Sequence, residues 1–316
     1  MSTWDAVKKR SRTWLGEGFR PHPVAEFEWL WMRLLFAPIV LWEIWDFHPY
    51  VHDTQTHPSG VAHLFDLTWI SQEWVRPTFI ALAIPAILLY LGGIRLALAL
   101  GVLCLINILP RTLANSQGHI NHSHQIVSVA LLTQFVVAVW WRWRQRKGKT
   151  GQTEDSTGIS FASWQIYYTQ GIITGTYVVA GLSKLLNSKG MWFWNAPYIS
   201  FDLVKSQRQQ YYKELEDLSM LTTAPAAQWV MENPMLARIG FAGAFFLELF
   251  AIVAMKNRTW AFWTGIALIA LHRGILEVMN LHFYNNELLL LIFFLNFPFW
   301  FWWLGQKIRG RTTELY

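Results

Sequence analysis

Cysteine is nearly absent: Cys104, in an apolar stretch, is the only one in 316 residues. A single thiol forms neither an internal disulfide nor a Cys-x-x-Cys redox pair, which excludes thiol-based quinone reductases. Charge is scarce too. Asp, Glu, Lys and Arg supply 15% of the chain, against about 25% in soluble domains, so an ordinary soluble globule is excluded. The first 25 residues lack the short apolar core and small-residue cleavage site of a secretory signal. No internal repeat and no second soluble domain is evident.

What the chain does have is apolar length. Hydrophobic residues make up 53%, with 20 tryptophans, and they fall in blocks of about 17–25 residues, enough for a helix to cross a bilayer. A β-barrel would instead show short alternating segments. The blocks predict spans at 26–45, 77–92, 95–110, 124–142, 164–186, 237–255, 259–281 and 286–304. The expected fold is thus an all-α integral membrane protein of about eight transmembrane helices.

Basic residues orient these spans. With the N-terminus inside, 16 of the 26 Lys and Arg fall on inner segments, seven on outer ones and three, Arg33, Lys184 and Arg273, within spans. "RWRQRKGK" at 142–149 is the strongest inner anchor. Both termini are therefore expected in the cytoplasm. Residues 1–25 read as an amphipathic interfacial segment, with Trp4, Val7, Trp14 and Leu15 opposed to Lys8, Lys9, Arg10 and Arg12. Residues 26–304 read as one transmembrane domain and 305–316 as a cytoplasmic tail. Residues 143–163 read as a mobile polar linker. Residues 187–236 read as an outer excursion containing a short charged helix. The net charge of +6 fits cytoplasmic loops, with no call for nucleic acid; the bilayer is the first expected partner.

Ionisable groups inside spans are functional hypotheses, because lipid exposes them at a cost of at least a few kcal/mol. On the fifth span Tyr167, Gln170, Thr174, Tyr177, Gly181 and Lys184 recur at spacings of three and four and share a face. Lys184 has two readings. It either snorkels to the headgroups, or sits desolvated above the polar stripe, where an amine can act as a base. On the seventh span Arg273 and Glu277 are spaced to pair, with Asn280 on the same face and His272 one step round. Glu248 on the sixth is a candidate partner for a cation on a neighbour. The first span holds Arg33 and Glu43.

Histidines cluster in two outer places. "NSQGHINHSHQIVS" brings His119, His122 and His124 together. The loop 46–76 adds His48, His52, His57 and His63, with Asp53 and Asp66. Such clusters suggest a metal, but there is no adjacent His-His pair of the kind membrane di-iron oxygenases use. Solvated interfacial histidines are the alternative, and no metal ligand is assigned.

Three stretches together resemble one family. "NHSHQIVSVALLTQF", "YVVAGLSKLLNSKGMWFW" and the region from "FFLELF" to "NNELLLLIFF" are similar to the membrane domain of vitamin K-dependent gamma-carboxylases. The same domain occurs in the bacterial horizontally transferred transmembrane (HTTM) group. The family pattern runs Asn-His, then Ala-Gly-x-x-Lys-Leu followed by Trp, then an acidic residue, then a histidine. In this chain it falls on Asn121-His122, on Ala180 to Leu185 with Trp192, on Glu248 and on His272, across about 26–304. The resemblance implies a reduced, vitamin K-like quinone as cofactor. It implies Lys184 as the base on that quinol, and Asn121 and His122 as polar catalytic partners. Tyr177, Gly181, Trp192, Glu248 and His272 become candidate cofactor contacts. In the carboxylases the oxygenated quinol supplies the strong base that removes a proton from a glutamyl γ-carbon before carbon dioxide adds.

Two departures shape the expectation. The carboxylases' large soluble domain is not matched, and the family's second lysine before the base is Ser183. The resemblance thus bears on quinone chemistry coupled to modification of a peptide or small substrate. It also points to a bacterial inner membrane. Two other readings stand beside it: a non-enzymatic subunit binding lipid or a secreted peptide, as in toxin maturation or immunity, and a histidine-ligated metal oxygenase.

Overall fold

The computed structural model describes residues 19–46, 60–116, 122–151, 153–215, 225–279 and 281–310. Among them the structure is all-helical, apart from isolated bridges of Thr150 with Asp155 and Glu154 with Ser160. The helices are α1 (Glu26–Asp46), α2 (Val75–Gly92), α3 (Leu96–Asn115), α4 (His122–Arg146), α5 (Phe161–Asn187), α6 (Ile199–Glu214), α7 (Pro225–Glu232), α8 (Pro234–Leu249), α9 (Arg258–Met279), α10 (Tyr284–Leu290) and α11 (Phe297–Ile308). A 3-10 segment, Ala251–Lys256, continues α8, and a π turn, Leu291–Leu295, joins α10 to α11.

Six segments are long and apolar enough to cross a membrane: Val75–Gly92, Leu96–Asn115, Ser123–Arg146, Pro234–Lys256, Arg258–Met279 and Tyr284–Ile308. The sequence predicts eight. The other two are α1 and α5, of 21 and 27 residues, which have the length but more polar composition. Their polar side chains point inward. On α1, Glu28, Arg33 and Glu43 are buried while Trp31, Leu35 and Trp42 are exposed. On α5, Gln165, Thr169 and Thr174 are buried while Val179 and Leu186 are exposed. A helix on a water-soluble globule has the opposite arrangement. Between these helices lies one core built around Phe36, Val40, Leu100, Leu103, Leu131 and Phe293.

The turn "LGGIR" is tight for a stated reason. Gly93 is left-handed (φ 69°), its N–H bonding back to Leu89 and Tyr90, and the Ile94 N–H reaches Leu89 O at 2.9 Å. This is the helix ending that glycine permits and a Cβ disfavours. Arg33 of α1 then donates to Tyr90 O at 2.7 Å, satisfying a helix-end carbonyl inside the bundle. A Cβ on Gly93 would lie 2.9 Å from the Arg33 guanidinium, so both the backbone and the neighbour require glycine.

The last span is broken. After the π turn, Asn296 takes a left-handed conformation (φ 44°), and Pro298 follows within the first turn of α11. Backbone carbonyls lose their usual partners at such a break. Gln170 of α5 donates to Phe293 O at 2.6 Å, and Asn296 donates to Glu28 at 2.5 Å. Glu28 also holds Arg258 at 2.5 Å. Helix α9 meets the break at Gly265, where a Cβ would come within 2.7 Å of Leu295.

Two expectations are corrected here. The linker at 143–163 is folded rather than loose. Asp155 accepts from Thr157 N at 2.8 Å and Ile159 N at 3.0 Å, and its other oxygen from Trp164 Nε1 at 3.1 Å. An aspartate satisfying its own following backbone is a turn-forming device. Arg273 pairs with Glu287 at 2.5 Å and not with Glu277, because α10 brings a buried carboxylate to it from outside its own helix. Of the charged stretch expected to be helical, 206–221, the residues to Glu214 are helical, within α6, and 216–221 lie outside the described residues. Residues 1–18, 47–59 and 311–316 lie outside the described residues. With them go Trp4, Val7, Trp14 and Leu15, the basic set Lys8 to Arg12, His48, His52, Asp53, His57 and the end of the tail.

Candidate functional site

The polar stripe of α5 faces the bundle. Thr174, Tyr177 and Gly181 are buried, and Lys184 ends the stripe with its side chain 27% exposed. The ammonium is not free to snorkel. Its Nζ lies 2.6 and 2.5 Å from the two oxygens of Glu248, whose side chain is 8% exposed. Gly181 makes that approach possible. A Cβ there would sit 3.3 Å from Leu249 N and 3.6 Å from Glu248 Cβ, so the small residue admits the α8 backbone and not a ligand ring. Trp192, just past the end of α5, places its ring 5.5 Å from Nζ, a cation–π contact.

Two turns along α5 from Lys184, the Tyr177 hydroxyl lies 2.8 Å from His272 Nε2. The His272 ring is packed edge-on against Tyr177 and Phe283, with centroids at 5.7 and 4.8 Å. Both residues are buried, and His272 Nδ1 has no partner among the described residues. Asn286, from α10, is buried beside them with its Oδ1 likewise unpartnered.

These groups wall one cavity of about 380 Å³. Helix α5 gives Thr176, Tyr177, Ala180 and Lys184, α8 gives Glu248, and α9 gives Leu271, His272 and Ile275. Opposite stand Gln125, Ile126 and Val129 of α4, with Phe283 and Asn286. Lys184, Tyr177, Glu248 and His272 are thus brought together. Gly181 and Trp192 adjoin the cavity without lining it. Asn121 lies outside the described residues, as does the side chain of His122. What can be said of His122 is that it begins α4, one turn before Gln125 on the cavity wall.

Sequence reasoning missed Asn286 and the wider role of Glu43. The signal for the first was available in "YNNELLLL", where two asparagines head an apolar run. Glu43, fully buried, gathers Arg111 at 2.8 Å, His124 Nδ1 at 2.7 Å and Asn285 at 2.7 Å. It ties α1, α3, α4 and α10 together behind the cavity, since His124 and Asn285 precede the wall residues Gln125 and Asn286. His124 is therefore engaged by a carboxylate, while His119 lies outside the described residues. No group of three or more metal-ligating side chains occurs among the described residues.

Chemically, the cavity offers an amine–carboxylate pair between which a proton can pass, and a phenol–imidazole pair beside it. The rest of the lining is mostly apolar. Such a chamber with a few convergent polar groups is the usual form of a small-molecule site.

No family model matches this chain, nor does any curated protein or solved structure.

Proposed function

We propose that this protein is a membrane enzyme of the carboxylase-like, HTTM kind, in which Lys184 serves as base toward a reduced quinone. In this reading α1 and α5 also cross the bilayer, giving eight spans with both ends cytoplasmic, in a bacterial inner membrane. The observation that carries the proposal is the meeting of Lys184, Glu248, Tyr177 and His272 on one cavity. Of these, Lys184, Glu248 and His272 are places at which the sequence resembles the family.

The cavity suits such a cofactor. Its mostly apolar walls and volume of about 380 Å³ accommodate a flat ring, with Lys184, Glu248, His272 and Asn286 as the polar side chains of its lining. When bound, a quinol would supply the reducing equivalents for reaction with oxygen. The chain's own part is to orient and deprotonate. In the ion pair the lysine holds the proton, so Lys184 acts as base only after passing it to Glu248. The neutral amine then faces the cavity, and Trp192 excludes water from above. A secreted peptide or a small molecule would be the substrate modified.

A second reading has one observation in its favour. The Lys184–Glu248 pair satisfies both groups and joins α5 to α8, which suits a structural staple in a non-enzymatic lipid- or peptide-binding subunit. Oxygen uptake by purified protein supplied with a reduced naphthoquinone separates the two. The enzyme reading expects uptake that falls at least about a hundredfold in Lys184→Met, at matched folded fraction. Uptake unchanged in that variant sinks the base assignment.

A further inference from the structure

The cavity shares a wall with a second, apolar depression. A groove of about 560 Å³ runs between α8 and α9 under α7. Leu271 and Ile275 of α9 line both the groove and the Lys184 cavity. They separate a polar chamber from an apolar one by the thickness of two side chains.

The groove exists because small residues floor it. At Gly240 of α8 and Gly274 of α9 an added Cβ would meet no described atom within 4 Å. Ala237 and Ala244 continue the same face of α8, and Trp229 and Val230 of α7 close the end. The lining has almost no polar surface, in contrast to the cavity, where Lys184, Glu248, His272 and Asn286 converge.

We infer that the groove holds the hydrocarbon chain of an amphiphile whose polar head occupies the Lys184 cavity, with Leu271 and Ile275 as the gate between them. A partner helix packed on the same face would account for the small residues but not for the shared wall with a polar chamber. An amphiphile accounts for both, since its two ends have the chemistry of the two compartments. The chain is either isoprenoid or acyl; a flexible hydrocarbon is the common requirement. The inference rests on the cavity as a ligand site and, in the isoprenoid case, on the quinol reading.

The test is binding to the detergent-purified full chain, with three probes. These are a naphthoquinone without a side chain, the same ring carrying a four-unit isoprenoid chain, and a fluorescent polyene fatty acid. The tailed quinone is expected to bind at least about tenfold more tightly than the tailless one. In Gly240→Leu and Gly274→Leu, which fill the groove, that preference should vanish while the tailless ring binds as before. Gly243→Leu, on the same helix but not lining the groove, controls for folding and should keep the preference. Equal binding of both quinones by the parent protein overturns the groove. If neither quinone binds, the quinol reading fails and the fatty acid decides. Binding of the fatty acid that Gly274→Leu abolishes and Gly243→Leu spares upholds an acyl chain in the groove, and no such binding overturns it.

Discussion

The Nζ of Lys184 lies within 2.6 Å of both oxygens of Glu248. The contact joins the C-terminal turn of α5 to the last turn of α8. Removing one member of a buried pair leaves the other charge uncompensated, whereas removing both leaves an apolar contact. Glu248→Leu is expected to cost about 2 kcal/mol, less than a fully buried pair because the lysine is 27% exposed. The double variant Lys184→Met/Glu248→Leu should regain most of this. Thermal unfolding of the parent, the two single variants and the double variant in one detergent checks it; a double-variant loss equal to the sum of the two single losses would show that the pair has no coupling.

Tyr177→Phe deletes the hydroxyl that meets His272 Nε2. That leaves a buried ring nitrogen unsatisfied, at about 1–3 kcal/mol. Paired replacement by Tyr177→Phe and His272→Phe should be milder than the sum. The comparison by denaturant or heat would fail if the two effects simply added.

Gly93→Ala is expected to destabilise by more than the roughly 1–2 kcal/mol that the left-handed conformation alone costs an L-residue. The added Cβ meets Arg33 as well as the backbone constraint. The same substitution placed on Arg33→Met should cost less, because the obstructing guanidinium has gone. Midpoints of unfolding for the two backgrounds decide the point.

The Asp155 turn should loosen in acid. Burial raises the carboxyl's pKa, but the hydrogen bonds from Thr157, Ile159 and Trp164 together outweigh it, and the net direction is downward. A folded pKa below the unfolded one means stability present above the ordinary carboxylate value and lost as pH falls through the depressed one. Amide exchange at Thr157 and Ile159, corrected for intrinsic rate, should therefore quicken below about pH 4. Asp155→Asn should flatten that dependence, and an unchanged pH profile would contradict the assignment.

Much of this was readable from residue order. The apolar blocks located the helices, because a bilayer-length run has few alternatives, and the periodicity of Tyr177, Gly181 and Lys184 put them on one inward face. Glu248 was identified as a cation's partner, but its choice of Lys184 depends on how closely α8 approaches Gly181, which spacing does not encode. Arg273 shows the limit from the other side. Local spacing offered Glu277, while the fold supplied Glu287 from α10. Asn286 and the Glu43 cluster were hidden for the same reason, since each becomes meaningful only when helices distant in sequence meet. The linker at 143–163 misled because its composition is that of a loose chain, whereas the Asp155 carboxylate and the backbone bridges around it order the turn.

The glycine turn at residue 93 has a consequence for synthesis. Helices α2 and α3 have 18 and 20 residues and are joined by three. A connection that short leaves no slack for one helix to settle across the membrane while the other waits. In a bilayer such a pair would have to enter as a single hairpin, so the turn at residue 93 would set the order of insertion as well as the end of α2.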